Sequence, residues 1–203
     1  MQVMGGFILG FDTDSPDIFD RMVDFIQKSG IPIAMVGLLQ AMPGTQLFRR
    51  LRAEGRILDT GHGDNTSDKL NFLPRMDATT LLEGYRSVLK RIYSCDAYYE
   101  RVKLYLSRAG KELGKQESGQ RWITTGNVRA FVTSIIRQGV FGRQRRGYWS
   151  FLLTVLRRHR HCIGMAMTLA VMGYHLQVMT RKLTAAPGSS AITAEHDERA
   201  LVD

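Results

Sequence analysis

Cysteine is scarce: Cys95 and Cys162 are the two in 203 residues. That rules out a disulfide scaffold. It also leaves too few thiols for a four-cysteine zinc or iron–sulfur site built from this chain alone. Phosphate-loop chemistry is not encoded, because no G-K-[ST] occurs and no G-x-G-x-x-G opens a helix. A nucleophile elbow, G-x-S-x-G, and a zinc-protease H-E-x-x-H are missing too. No basic leader precedes the first apolar run, MQVMGGFILGF, and acidic residues follow at once. The expected compartment is therefore cytoplasmic and reducing.

Acidic residues are the minority charge, 19 against 28 Lys and Arg, for a net +9. With 44% apolar and 23% charged residues the chain has the composition of an ordinary globular protein, which excludes disorder throughout. The excess is local. Residues 1–76 carry net −1, 77–110 net +2, 111–183 net +11 and 184–203 net −3. A partner for the positive charge belongs with the third segment.

QVMGGFILGF reads as a strand buried on both faces, as in a parallel sheet. In DTDSPDIF, Ser15 suits a helix cap, Pro16 the first helical position, and Asp17 and Asp20 the positive end of the dipole. Ile18, Met22, Phe25 and Ile26 recur at helical spacing, Phe19 and Val23 widen the stripe, and Gly30 ends it. IPIAMVGLL is a second buried strand. Met42-Pro43-Gly44-Thr45 forms a turn, and Thr45 caps the short helix QLFRRLRAE, closed by Gly55. Strand, helix, strand, helix is the rhythm of a parallel sheet or barrel, yet two strands cannot stand as one. More strands must come from elsewhere, or the chain is the end of something longer.

Residues 59–71, DTGHGDNTSDKLN, read as a polar loop, either functional or a solvated connection. From Asp77 the pattern turns helical. Leu81, Leu82, Tyr85, Val88, Leu89 and Ile92 mark one amphipathic helix, and Tyr98, Val102, Tyr105 and Leu106 the next. Residues 110–120 read as a linker, with helices expected over 127–138, 147–160 and 163–183 and a disordered tail at 184–203. The expected organisation is an α/β part over 1–76, a basic all-α domain over 77–183, and that tail.

Several residues could carry chemistry. Gly6, Ile8 and Gly10 let a ligand approach the backbone where a strand ends, or serve tight strand–helix packing. Asp12 and Asp14 could accept hydrogen bonds from a ribose or an amine, or cap the following helix. Met42 and Pro43 sit in a turn whose own chemistry suffices to explain them. No metal constellation is expected. His159 and His161, two apart on a helix, would face different ways, His62 lies in the polar loop, and His175 stands on an apolar helix.

RQGVFGRQRRGYWSFLLTVLRRHRH places arginine clusters on either side of an aromatic and aliphatic segment. The run after it, CIGMAMTLAVMGYHLQVM, is short for a membrane span and holds His175 and Gln177. It suits an interfacial helix on an anionic membrane surface, or a solvated basic face on a bundle. Nucleic acid is disfavoured, because the aromatics do not interleave with the basic residues.

Taken together, GGFILGFDTDSPDIF, FIQKSGI and MVGLLQAMPGTQLFRRLRAEGRI resemble the C-terminal part of a radical S-adenosylmethionine (SAM) barrel. The resemblance is to the group with an N-terminal cobalamin-binding domain. GDNTSDKLNFLPRMD, LLEGYRSVLKRIYSCDAYYERV and the basic tail resemble the helical domain of its branch containing hopanoid C-2 methylases. The likeness is close over residues 3–110 and loose over 120–180. It implies the last strands and helices of a partial TIM-type barrel followed by an all-α domain, acting in a methyltransferase-type enzyme. It places Gly6, Ile8 and Gly10 on the strand beside the adenine of SAM, with Asp12 and Asp14 continuing toward the cofactor or capping the helix. Met42 and Pro43 would lie on the adenine and substrate side, and Asp64 and Asn65 in a loop over the barrel mouth.

The departure is the family's C-x-x-x-C-x-x-C motif, which holds a four-iron four-sulfur cluster and has no counterpart here. The cobalamin domain and early strands are also missing. The expectation is a C-terminal third, from a split or truncated frame or a piece expressed on its own. Its partner would be an N-terminal portion carrying cluster and cobalamin, and alone it should be inactive and need that partner. A lipid-like substrate would suit the basic, aromatic-bearing helices. The rival reading is a non-catalytic helical module that binds a membrane surface or a partner protein.

Overall fold

The computed structural model describes residues 4–58, 70–117 and 145–185. Strands β1 (Met4–Leu9) and β2 (Ile33–Leu38) pair in parallel, in register from Met4 opposite Ile33 to Leu9 opposite Leu38. Helix α1 (Ile18–Ser29) connects them and ends on Gly30, whose φ of 72° is the left-handed cap the sequence predicts. Its start is a correction. The helix begins at Ile18, and Asp17 holds the cap position without a side-chain cap bond. The Ser15 hydroxyl donates to Asp17 instead, so it is not available to the first turn. Helix α2 (Gln46–Ala53) starts as expected, with Phe48 N–H donating to Thr45 Oγ1 at 3.1 Å.

Helix α3 (Ala78–Ile92) is capped by Asp77, which accepts from Thr80 N–H at 2.8 Å. It buries the six residues its periodicity marks, Leu81, Leu82, Tyr85, Val88, Leu89 and Ile92. Helix α4 (Cys95–Glu117) runs into the stretch read as a linker. Lys111, Glu112, Leu113, Lys115 and Gln116 are strong helix formers and outweigh two glycines. Helix α5 (Arg145–Arg158), a 3-10 turn (Arg160–Cys162) and helix α6 (Ile163–Ala185) complete the described elements. The expected helix at 127–138 and residues 186–203 of the tail lie outside the described residues.

One apolar core joins sheet and helices. Leu9, Ala34, Val36 and Leu38 enter it from the strands, Phe19, Val23 and Ile26 from α1, and Leu169 and Ala170 from α6. Arg101 of α4 is 1% exposed at the junction. Its guanidinium donates to Ile92 O at 2.9 Å, to Pro32 O at 3.3 Å and to Gln27 Oε1. It also lies 5.8 and 5.5 Å from the rings of Tyr93 and Tyr98, contacts that favour a buried cation. By length and composition Arg160–Ala185 could cross a membrane, longer than the apolar run alone suggests. Its small residues nevertheless pack inward, and Tyr98 OH donates to Leu169 O at 2.6 Å.

The strands are not buried on both faces. Met4, Ile8 and Met35 stay 54%, 50% and 57% exposed, on the same face as Gly6 and Gly37, opposite the helices. Parallel sheets are normally covered on both sides. Here two apolar runs meet only one helical layer among the described residues.

Candidate functional site

The C-terminal ends of β1 and β2 come together, Leu39 N–H donating to Leu9 O at 2.8 Å. In α/β folds this is the end that meets ligands. Gly10 leaves β1 with φ of 103°, and a Cβ there would lie 3.2 Å from Leu81, so the fold itself requires glycine. Gly6 is different. Its φ is ordinary, and a Cβ would meet nothing within 4 Å. Packing does not call for glycine at that position, and the room lies on the open face beside Ile8.

Asp14 folds back on the strand end, accepting from Gly10 N–H at 2.9 Å and Phe11 N–H at 3.0 Å. It holds the turn rather than capping α1. Asp12 is the hub of a charged cluster. Arg56 grips it with Nη2 to Oδ1 at 2.7 Å and Nη1 to Oδ2 at 3.1 Å, and Arg50 adds a contact at 2.9 Å. Arg75 stands 4.0 Å away. Arg56 also donates to Leu73 O at 2.8 Å and binds Glu54 at 2.8 Å. The Arg56 hydrogen bond above all, against some burial, holds the Asp12 carboxyl below its ordinary range, and Arg56 is correspondingly more basic. Both aspartates thus have partners within the chain.

Met42 is 40% exposed, and its carbonyl accepts from Thr45 Oγ1 at 2.7 Å. Pro43 beside it is exposed, and Gly44 takes a φ of 85°. The turn chemistry read from the sequence is what forms. Asp64, Asn65 and His62 lie outside the described residues.

The end of the loop read over 59–71 is not solvated. Leu70 is 7% and Asn71 4% exposed. Asn71 grips Ala41 twice, accepting its N–H at 2.9 Å and donating to its carbonyl at 2.8 Å. Ile57 and Phe72 bridge in antiparallel fashion alongside. Asn71 thereby fixes the chain just past β2, a role hidden in a run of polar loop residues.

The histidines also differ from expectation. A 3-10 turn, not a continuous helix, carries His161 and Cys162, and three residues per turn place His159 and Cys162 on one side. Ligand atoms of His159, His161 and Cys162 lie within 4.8 Å of one another. Burial first, then His161 and Arg158, pushes the His159 imidazole below its ordinary value. Arg157, Arg158 and Arg160 adjoin the trio and oppose a divalent cation.

The cysteines do not fit an iron–sulfur cluster. Both are buried, 67 positions apart, and burial followed by Asp96 pushes the Cys95 thiol up to about 11. Cluster ligation requires thiolates.

Residues 45–187 match the family model described as Domain of unknown function (DUF4070). The chain belongs to that family. It is 30% identical over 185 residues to the hopanoid C-2 methylase of Rhodopseudomonas palustris, covering 90% of this chain and 34% of that protein. The uncharacterized methyltransferase sll1242 of Synechocystis sp. is 28% identical, over 86% of this chain and 32% of its own length. The bacteriochlorophyllide d C-12(1)-methyltransferase of Chlorobaculum tepidum is 29% identical over half of this chain and 22% of its own length. No solved structure matched. The chain thus spans about a third of the first two relatives. The resemblance argued from its motifs holds: it is a C-terminal region like those of radical SAM methylases of the cobalamin-binding group.

Proposed function

We propose that the chain is the C-terminal part of a cobalamin-dependent radical SAM enzyme that transfers a methyl group to a lipid-like substrate. In this reading residues 1–76 close a TIM-type barrel whose earlier strands, cluster cysteines and cobalamin domain belong to an N-terminal portion. Residues 77–183 form the basic helical domain behind the barrel. The enzyme works in the cytoplasm, at the inner face of the membrane.

The observation that carries the reading is the open sheet face. Met4, Ile8 and Met35 are apolar and exposed, while Gly6 has an empty approach that its own packing does not require. Further strands beside this pair would cover the apolar face, and a flat adenine against Gly6, Ile8 and Gly10 would use the room. SAM supplies the methyl group and the radical when bound to a cluster. What this chain contributes is a wall for the cofactor and a rigid end to the barrel. Asp14 and Asn71 pin the loops after each strand, and Asp12 with Arg56 ties β1 to the chain beyond α2. Cys95 and Cys162 do not fit the cluster, so its thiolates would come from the N-terminal portion.

The test is reductive cleavage of SAM, followed as release of 5′-deoxyadenosine. The chain alone is expected to release none. Joined to its N-terminal portion, after anaerobic cluster reconstitution with cobalamin and with dithionite as electron donor, it is expected to release it. Cleavage by the chain alone, or an assembled protein that binds no SAM, contradicts the proposal.

A further inference from the structure

Helix α5 is apolar on two sides. Tyr148, Phe151, Leu152 and Val155 are buried. Trp149, Leu153 and Leu156, spaced four and three apart on the outer face, are 40%, 48% and 47% exposed. A surface helix of a soluble bundle ordinarily gives that face to polar residues. Arginines close both ends of the row, Arg145 and Arg146 before it and Arg157 and Arg158 after it.

Between α4 and α5, Trp149 and Leu153 of the row line a groove of about 1320 Å³ together with Leu104, and Ser107, Ser150, Thr154 and His159 line it as well. Lys103 and those arginines line it too, and its one acidic lining residue among those described, Glu100, is paired with Lys103 at 2.5 Å. Exposed apolar side chains beside a cluster of cationic ones complement an amphiphile with a negative head. Tryptophan and aliphatic side chains settle at the boundary of headgroups and acyl chains, where arginines reach lipid phosphates. A nucleic-acid strand would leave Leu153 and Leu156 without a role, and it would want aromatic rings between the basic residues.

We propose that the arginines around the α4–α5 groove bind the phosphate headgroups of anionic phospholipids in a bilayer, with the exposed row Trp149, Leu153 and Leu156 entering the boundary between headgroups and acyl chains. This rests on, and deepens, the membrane placement proposed above. It is independent of the methyl-transfer chemistry.

The experiment is sedimentation of the full chain with phosphatidylcholine vesicles, with and without phosphatidylglycerol. The salt is about 0.1 M, where exposed charges act over about 10 Å. Binding is expected only with the anionic lipid. At about five-fold per arginine, Arg157→Gln with Arg158→Gln should weaken it about 25-fold. Arg49→Gln with Arg52→Gln, on exposed α2, removes the same charge and should change it less than about two-fold. A Trp122→Phe chain leaves Trp149 as its one tryptophan, and its emission should shift to the blue on anionic vesicles. Equal losses from the two arginine pairs, or an unshifted Trp149, overturn the groove while leaving the membrane placement standing. No vesicle binding at all, or a DNA duplex that displaces the vesicles, overturns both. Neither outcome touches the 5′-deoxyadenosine assay.

Discussion

At the scale of single residues, Asp12 and Gly6 separate what the fold needs from what a cofactor would need. Asp12 is clasped by Arg56 and Arg50, its side chain 13% exposed. Its carboxyl titrates below the ordinary 3.8, so its stabilisation is complete above that value and is lost as pH falls through the lower, folded-state value. Asp12→Asn should cost about 1.5 kcal/mol near neutral pH, the low end for bonds between charged groups because water reaches the cluster. The gap between variant and wild type should narrow as pH falls through the lowered Asp12 value and close once its carboxyl is protonated in both states. Urea titrations across pH measure both. Gly6 has the opposite signature. Gly6→Ala should leave stability unchanged or raise it by up to about 1 kcal/mol, since glycine in a strand forfeits entropy. Gly6→Leu in the assembled enzyme should weaken SAM binding at least about ten-fold, or about 1.4 kcal/mol, by filling the space beside Ile8. Equilibrium dialysis with SAM measures it, and unchanged affinity removes Gly6 from the cofactor wall.

At the scale of elements, helices meet at glycines. A Cβ on Gly173 of α6 would lie 2.1 Å from Tyr98 Cε1, and one on Gly84 of α3 would lie 2.2 Å from Phe19 Cζ. Tyr98 is fully buried and its hydroxyl is committed to Leu169, so it cannot step aside. Gly173→Ala should therefore destabilise by about 1–3 kcal/mol. Adding Tyr98→Leu should cost less than the two changes summed, a coupling that a double-mutant cycle in denaturant reads directly. These elements were also the most legible part of the sequence. The stripe of α3, the Thr45 and Asp77 caps and the Gly30 stop follow from local chemistry, and local chemistry decides them. The start of α1 departs from its sequence signal because Ser15 bonds Asp17 instead of the backbone. Helix α4 reaches beyond what its glycines suggest because their helix-forming neighbours outweigh them. Asn71 and the His159 turn were hidden for another reason: their partners, Ala41 and the change from α to 3-10 winding, are set by tertiary packing. The strand pattern carried a real signal, near-continuous apolar runs. It describes a sheet covered on both sides, a surrounding that these two strands do not supply among the described residues.

At the scale of the whole molecule, the larger core runs from the sheet into α6, a smaller cluster gathers Ala41, Leu51 and Phe72, and among the described residues one apolar sheet face stays open. The chain covers 34% of the hopanoid C-2 methylase it resembles. The proposed enzyme keeps its cluster chemistry in an N-terminal portion, which would also cover the open face. Reading the coding DNA upstream of the Met1 codon, in all frames, tests this arrangement most directly. Early barrel strands bearing C-x-x-x-C-x-x-C are expected there, in frame or in an adjacent gene, preceded by a cobalamin-binding domain. Upstream DNA that encodes no such motif would contradict the arrangement and leave the basic helices as the feature whose binding accounts for the protein.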